Sequence, residues 1–130
     1  MRFTLVVQGG PYTSQASLSA WHFARAVVAT GHEIYRVFFY HDGVYNGNSL
    51  LTPPQDETDL HMAWCTLGRD HGCELVVCIA SALRRGMLDD GEARRYEKPL
   101  ANLNKLFIVS GLGQLIDGAI SADRTVTFGN

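Results

Sequence analysis

Leu75-Val76-Val77-Cys78-Ile79-Ala80-Ser81-Ala82-Leu83-Arg84-Arg85-Gly86 is the stretch on which the reading of this chain turns. It opens with a short run lacking polar side chains, as a strand covered on both faces requires, and passes straight into a helix-compatible run. The same kind of segment recurs on either side of it. Residues 3–7, 34–40, 75–79, 106–109 and 125–128 read as five strands, rich in β-branched and aromatic residues. Between them lie helical patterns. Ala20, Phe23, Ala24, Val27 and Val28 form one apolar stripe, with Gly31 placed as a C-terminal cap. Leu60, Ala63, Trp64 and Leu67 form a second, closed by Gly72. Leu112, Leu115, Ile116, Ala119 and Ile120 form a third before Asp123, and periodicity alone turns that stripe towards the core.

Strands alternating with helices of this length predict βαβ units with right-handed crossovers. The expected fold is a three-layer α/β/α sandwich with a mostly parallel sheet of about five strands. At 130 residues the chain fits a single domain spanning 1–130. Two stretches are less regular: 41–57 reads as a long loop with a helical turn near 44–46, and polar 84–104 as a connection with a short helix around 89–96.

Charge is nearly balanced, at a net of -2, so nothing global favours nucleic acid, an acidic substrate or a membrane surface. The apolar runs are too short to cross a bilayer, and residues 1–8 lack the cleavage pattern of a signal peptide. A cytoplasmic location is expected, where thiols stay reduced. The odd count of three cysteines also argues against a disulfide framework.

In an open parallel sheet, function gathers beyond the carboxyl ends of the strands. Here those are residues 8–12, 41–46, 78–81 and 110–113. Gly9-Gly10-Pro11 and Ser110-Gly111-Leu112-Gly113 lie where a phosphate loop would, yet neither carries a nucleotide fingerprint, and Pro11 lacks an amide. His61 and Cys65 share a helix face, and His71 and Cys73 are near in sequence, but no further ligands are spaced to complete a metal site. No metal and no cofactor is expected, and Cys65 and Cys73 read as packing residues. Cys78 differs by position. With a helix starting near Ser81, its thiol would face unpaired amides, and Arg84 and Arg85 would add positive charge, a setting that favours thiolate. Simple packing within an apolar strand is the competing reading.

With these residues in view, the chain resembles the DsrE/TusD family of sulfur-relay proteins. The likeness runs through the opening strand to Val7, the turn to Tyr12, Phe38-Phe39-Tyr40 with Gly43-Val44-Tyr45-Asn46, the Cys78 segment and Ser110-Gly111-Leu112-Gly113. The resemblance implies a sulfurtransferase that holds sulfur as a persulfide on Cys78 and acts as a carrier. It implies an upstream sulfur-carrier protein as donor and a small DsrC/TusE-like protein with a C-terminal cysteine as acceptor. It also implies a heterohexamer with two homologous chains, DsrF- and DsrH-like in sulfur oxidation or TusC- and TusB-like in tRNA 2-thiolation. Ser81, Arg84, Arg85, Tyr45 and Asn46 are candidates for sulfur or partner binding, and Trp21 and His22 for an interface. Two other readings stay open: a nucleotide- or flavin-binding α/β module, and a non-catalytic assembly subunit.

Overall fold

A computed structural model describes residues 1–129. Five strands form one wholly parallel sheet: β1 (Arg2–Val7), β2 (Glu33–Phe39), β3 (Glu74–Cys78), β4 (Phe107–Ser110) and β5 (Arg124–Phe128). They lie in the order β4-β3-β2-β1-β5. The connecting helices are α1 (Ala16–Ala29), α2 (Leu60–His71), α3 (Ile79–Arg84), α4 (Asp90–Arg95) and α5 (Gly113–Ser121), with a 3-10 helix at His41–Gly47. Strand boundaries differ from the sequence reading by a residue at most sites, and the α/β/α architecture is as expected. One shift matters for chemistry. The helix after β3 begins at Ile79 rather than near Ser81, so Cys78 is itself the N-cap residue, and its thiol makes no capping hydrogen bond to the helix amides expected to face it but packs with Phe38 and Val76.

Topology assigns the helices to faces. From β1 through β4 the chain steps in one direction, and right-handed crossovers put the intervening helices on one side. The step from β4 back to β5 reverses direction and carries α5 to the other side. The core agrees with this. Leu5, Val7, Val37, Phe39, Leu75 and Val77 point to one face and pack with Ala20, Ala24 and Val27 of α1, Trp64, Cys65 and Leu67 of α2, and Ala82 and Met87 around α3. Phe39 lies edge-on to Trp64 and tilted against Phe107, at centroid distances of 5.2 and 5.4 Å. Burying each such aromatic contributes about 2–3 kcal/mol. The α2 helix is closed at both ends: Asp59 Oδ1 accepts from the Met62 amide, and Gly72 takes the left-handed conformation at φ 65°.

The second face is thinner. Phe38, Val76 and Cys78 form a small buried cluster there, with Tyr40 and Leu115 against it. The α5 helix contradicts its apolar pattern. Ile116 and Ile120 are 60% and 78% exposed, and Leu112 and Ala119 are exposed too. What faces the sheet is Leu115 together with a polar and small-residue edge at Gln114, Asp117 and Gly118. The reason is a charge in the sheet: Arg36 is buried and donates Nη1 to the Gln114 carbonyl and to Asp117 Oδ2, both at 2.8 Å. A buried cation left unpaired costs far more than an isoleucine left in water, so the helix turns to serve it.

Candidate functional site

Cys78 ends β3, in register with Ser110 of β4. Its backbone is extended (φ −65°, ψ 123°) and leads directly into α3. Alternation along β3 puts Glu74, Val76 and Cys78 on the second face. The thiol rests on Phe38 and Val76, with Tyr40 and Leu115 packed against the cluster, and the residue is 3% exposed. The turn at 111–113 that follows Ser110 is exposed.

Ser81 lies in α3 and is buried, and its Oγ accepts from the His41 amide at 3.0 Å. His41 is held at φ 49°, a conformation that needs such support. Arg85 donates Nε to Asp42 Oδ1 at 2.7 Å and Nη1 to the Ser81 carbonyl at 3.2 Å. Ser81 and Arg85 thus fasten α3 to the 3-10 helix. Arg84 is exposed beside a shallow hollow lined by Leu83, Leu88, Tyr96 and Lys98. The structure uses Ser81 and Arg85 to tie α3 to the loop after β2, shows no hydrogen bond from either to the Cys78 thiol, and leaves Arg84 at the surface.

Asn46 and Tyr45 belong to the other face. Asn46 is fully buried: its amide donates to Ser17 Oγ and the Gly43 carbonyl, each at 2.9 Å, and Oδ1 accepts from Trp64 Nε1 at 3.2 Å. Tyr45 packs against the first cluster. The Asn46 backbone carbonyl lies 2.8 Å from His61 Nδ1, which must be the donor because a carbonyl only accepts. His61 Nε2 is then free to accept from Asn104 Nδ2 at 3.1 Å, with Cys65 Sγ 3.8 Å away. This pair is packed into a hydrogen-bonded core, and no group of three or more His, Cys, Asp or Glu among the described residues is arranged to hold a metal ion. The Gly9–Gly10 turn is tied to itself by Ser17 Oγ on the Gly9 carbonyl (2.7 Å) and Thr13 Oγ1 on the Gly10 carbonyl (3.3 Å), rather than opened as a phosphate cradle.

The three cysteines are all free thiols. Burial pushes the Cys73 thiol up to about 11, and burial also raises Cys65. Both sit in the first cluster, across the sheet from Cys78.

Sequence reading missed Arg36. Its signal was a lone cation in the apolar run Ile34–Phe39, on the same side of the strand as Phe38. Nε and Nη2 pair with Glu74 Oε2 of β3, while Nη1 holds α5. Burial works against the Arg36 charge, but the hydrogen bonds to Glu74 and Asp117 outweigh it and raise its pKa above the usual guanidinium value. The hydrogen bond from Arg36, with another from Tyr35, holds the Asp117 carboxyl below its ordinary range.

A parallel five-stranded α/β sheet with a lone thiol at a strand's carboxyl end defines a class of thiol-bearing α/β proteins. Residues 1–128 match the DsrE/DsrF-like family, and the chain belongs to it. It is 51% identical to the DsrE protein of Allochromatium vinosum over the full length of both chains. It is 50% identical to Sulfurtransferase TusD of Serratia proteamaculans, covering 97% of this chain and 98% of that one. The crystal structure of the ychN protein from E. coli shares the fold, with a TM-score of 0.78 at 18% identity over 98% of this chain and 99% of the other.

Proposed function

We propose that this chain is the sulfurtransferase subunit of a sulfur relay and carries its cargo as a persulfide on Cys78. The observation that carries the reading is the placement of Cys78 at the β3–α3 junction, at the carboxyl end of the parallel sheet and on the opposite face from Cys65 and Cys73. Full-length identity of about half to proteins named DsrE and TusD supports the activity.

The transfer is thiol–persulfide exchange. The Cys78 thiolate attacks the outer sulfur of a donor persulfide, the donor's S–S bond breaks, and the donor departs as its thiolate. An acceptor thiolate then attacks the outer sulfur on Cys78 and releases Cys78 as thiolate. Electrons balance within each exchange, so no cofactor is required. Ser81 and Arg85 act as positioning residues that hold α3 against the loop after β2. Arg84, exposed on α3, is a surface charge for an acidic partner segment.

The chain works with partner proteins of a relay. The donor is an upstream sulfur carrier, and the acceptor a small DsrC/TusE-like protein with a cysteine on a flexible C-terminal arm. The outward stripe of α5, with exposed Ile108 of β4 nearby, is the surface for homologous DsrF/DsrH-like or TusC/TusB-like chains in a heterohexamer. No helix among the described residues is long and apolar enough to cross a membrane, and we place the chain in the cytoplasm.

Incubation with a sulfane-sulfur donor, followed by intact mass, tests this. A reducible gain of one sulfur is expected in the wild type, in Cys65→Ser and in Cys73→Ser, and none in Cys78→Ser. A gain that survives in Cys78→Ser overturns the assignment.

A further inference from the structure

We infer that Arg36 is a positioning residue for the Cys78 thiol: by clasping α5 it keeps Leu115 over the sulfur, and release of the Asp117 arm uncovers it. The inference rests on the proposed role of Cys78, and concerns how a nearly buried thiol is reached.

Four observations meet here. First, Cys78 is 3% exposed, and Leu115 is the α5 residue packed against its cluster. Second, Arg36 of β2 ties the start of the strand that carries Cys78 to the helix whose Leu115 packs on its cluster, binding Glu74 of β3 on one side and the Gln114 carbonyl and Asp117 of α5 on the other. Gln114 immediately precedes Leu115 and Asp117 follows it by two, so the guanidinium grips the helix on both sides of the covering side chain. Third, the clasp opens from outside. Arg36 is buried, but the side chains of Glu74 and Asp117 are 46% and 49% exposed, where water and salt compete. Fourth, the two ends of α5 are held differently. Its carboxyl end is anchored independently by Thr4 Oγ1 on the Gly118 carbonyl at 2.8 Å and by the Arg2 amide on Asp123 Oδ2 at 2.7 Å. Its amino end follows exposed Gly111 and Gly113, whose Cβ positions meet nothing within 4 Å. Without the Asp117 charge, the neutral Gln114 carbonyl is the hold that Arg36 keeps on α5, a contact that water can replace, and the Leu115 end is then free to swing while the other end stays fixed. A partner that seats on the outward apolar stripe, or brings a cation to Asp117, bears on this same helix.

The test reads access rather than sulfur transfer. The folded full chain is alkylated with iodoacetamide, and modification of each cysteine is followed by peptide mass. Cys65 and Cys73, buried on the opposite face, serve as built-in reporters of global opening. In Asp117→Asn, which removes the charge without changing shape, Cys78 labelling is expected to rise about tenfold while Cys65 and Cys73 keep their wild-type rates. Asp117→Glu is expected to return Cys78 towards the wild-type rate. Raised ionic strength should accelerate Cys78 labelling in the wild type more than in Asp117→Asn. An unchanged Cys78 rate in Asp117→Asn, a parallel rise at all three cysteines, or an Asp117→Glu chain as fast as Asp117→Asn each overturns the inference. Failure of the wild type to take sulfur on Cys78 would instead remove the proposed function and leave these labelling ratios intact.

Discussion

The Thr4 hydroxyl donates to the Gly118 carbonyl at 2.8 Å, and a Cβ built on Gly118 would stand 2.9 Å from Thr4 Cγ2. Strand and helix touch here almost backbone to side chain, and only glycine permits it. In an exposed helix Gly→Ala gains about 1 kcal/mol of propensity, but forced overpacking costs about 1–3 kcal/mol. Gly118→Ala is therefore expected to destabilise the fold by about 1 kcal/mol in urea titration. Adding Thr4→Ser, which removes the crowding methyl and keeps a hydroxyl, should recover most of that loss.

Asn46→Ala tests the separation of the two faces. It strips partners from Trp64 Nε1 and Ser17 inside the first cluster, and a buried unsatisfied donor with its lost network costs about 3 kcal/mol. Chemical denaturation should show that loss. Below the new unfolding midpoint, the sulfur gained on Cys78 should match the wild type, because Asn46 lies across the sheet.

Alkaline stability follows from Cys73. Its folded pKa of about 11 lies above the ordinary thiol value of 9.0, so the fold favours the neutral form. Above the ordinary value the unfolded chain releases a proton that the folded chain retains. Stability therefore falls as pH rises from about 9 to about 11, at up to about 1.4 kcal/mol per pH unit from this group. Cys73→Ala should show a shallower alkaline slope in urea midpoints measured across that window.

On the acid side the sign reverses. The Asp117 carboxyl is held below its ordinary value by Arg36 first and Tyr35 second, so its contribution is present above the unfolded value and disappears as pH falls through the lower folded one. Asp117→Asn should flatten the acid limb of the stability profile. Tyr35→Phe, which removes the hydroxyl that donates to Asp117 Oδ2 at 2.9 Å, should flatten it less.

Ile116→Asp places a charge on the outward face of α5. Ile116 is 60% exposed, so the isolated chain should keep its stability to within about 0.5 kcal/mol. Co-expression with two homologous chains should nevertheless lose the assembly seen with the wild type, read by size-exclusion chromatography.

The sheet was legible because residues 75–78 and their counterparts carry apolar runs that only doubly covered strands need. The place of Cys78 followed from the same runs, since the strand end is where apolar residues give way to a helix. The facing of α5 was not legible. Its stripe at Leu112, Leu115, Ile116, Ala119 and Ile120 has the period of a core helix, yet of these Leu115 packs on the sheet, and only the buried charge of Arg36 reveals why Gln114, Asp117 and Gly118 turn inwards beside it. That partnership spans about eighty residues and leaves no local signature. Asn46 misled for a related reason: a polar residue just beyond a strand end reads as a binding group, whereas here it satisfies Trp64 and Ser17. Arg85, similarly, spends its charge on Asp42.

The sheet also works as a partition between sulfurs. A thiol within reach of a loaded persulfide would attack the inner sulfur, close a disulfide and discharge the cargo as free sulfide. Cys65 and Cys73 lie behind the strands, in the other cluster, and cannot approach Cys78 without unfolding. Sulfur placed on this chain has no internal route of escape, so it waits for a second molecule to collect it.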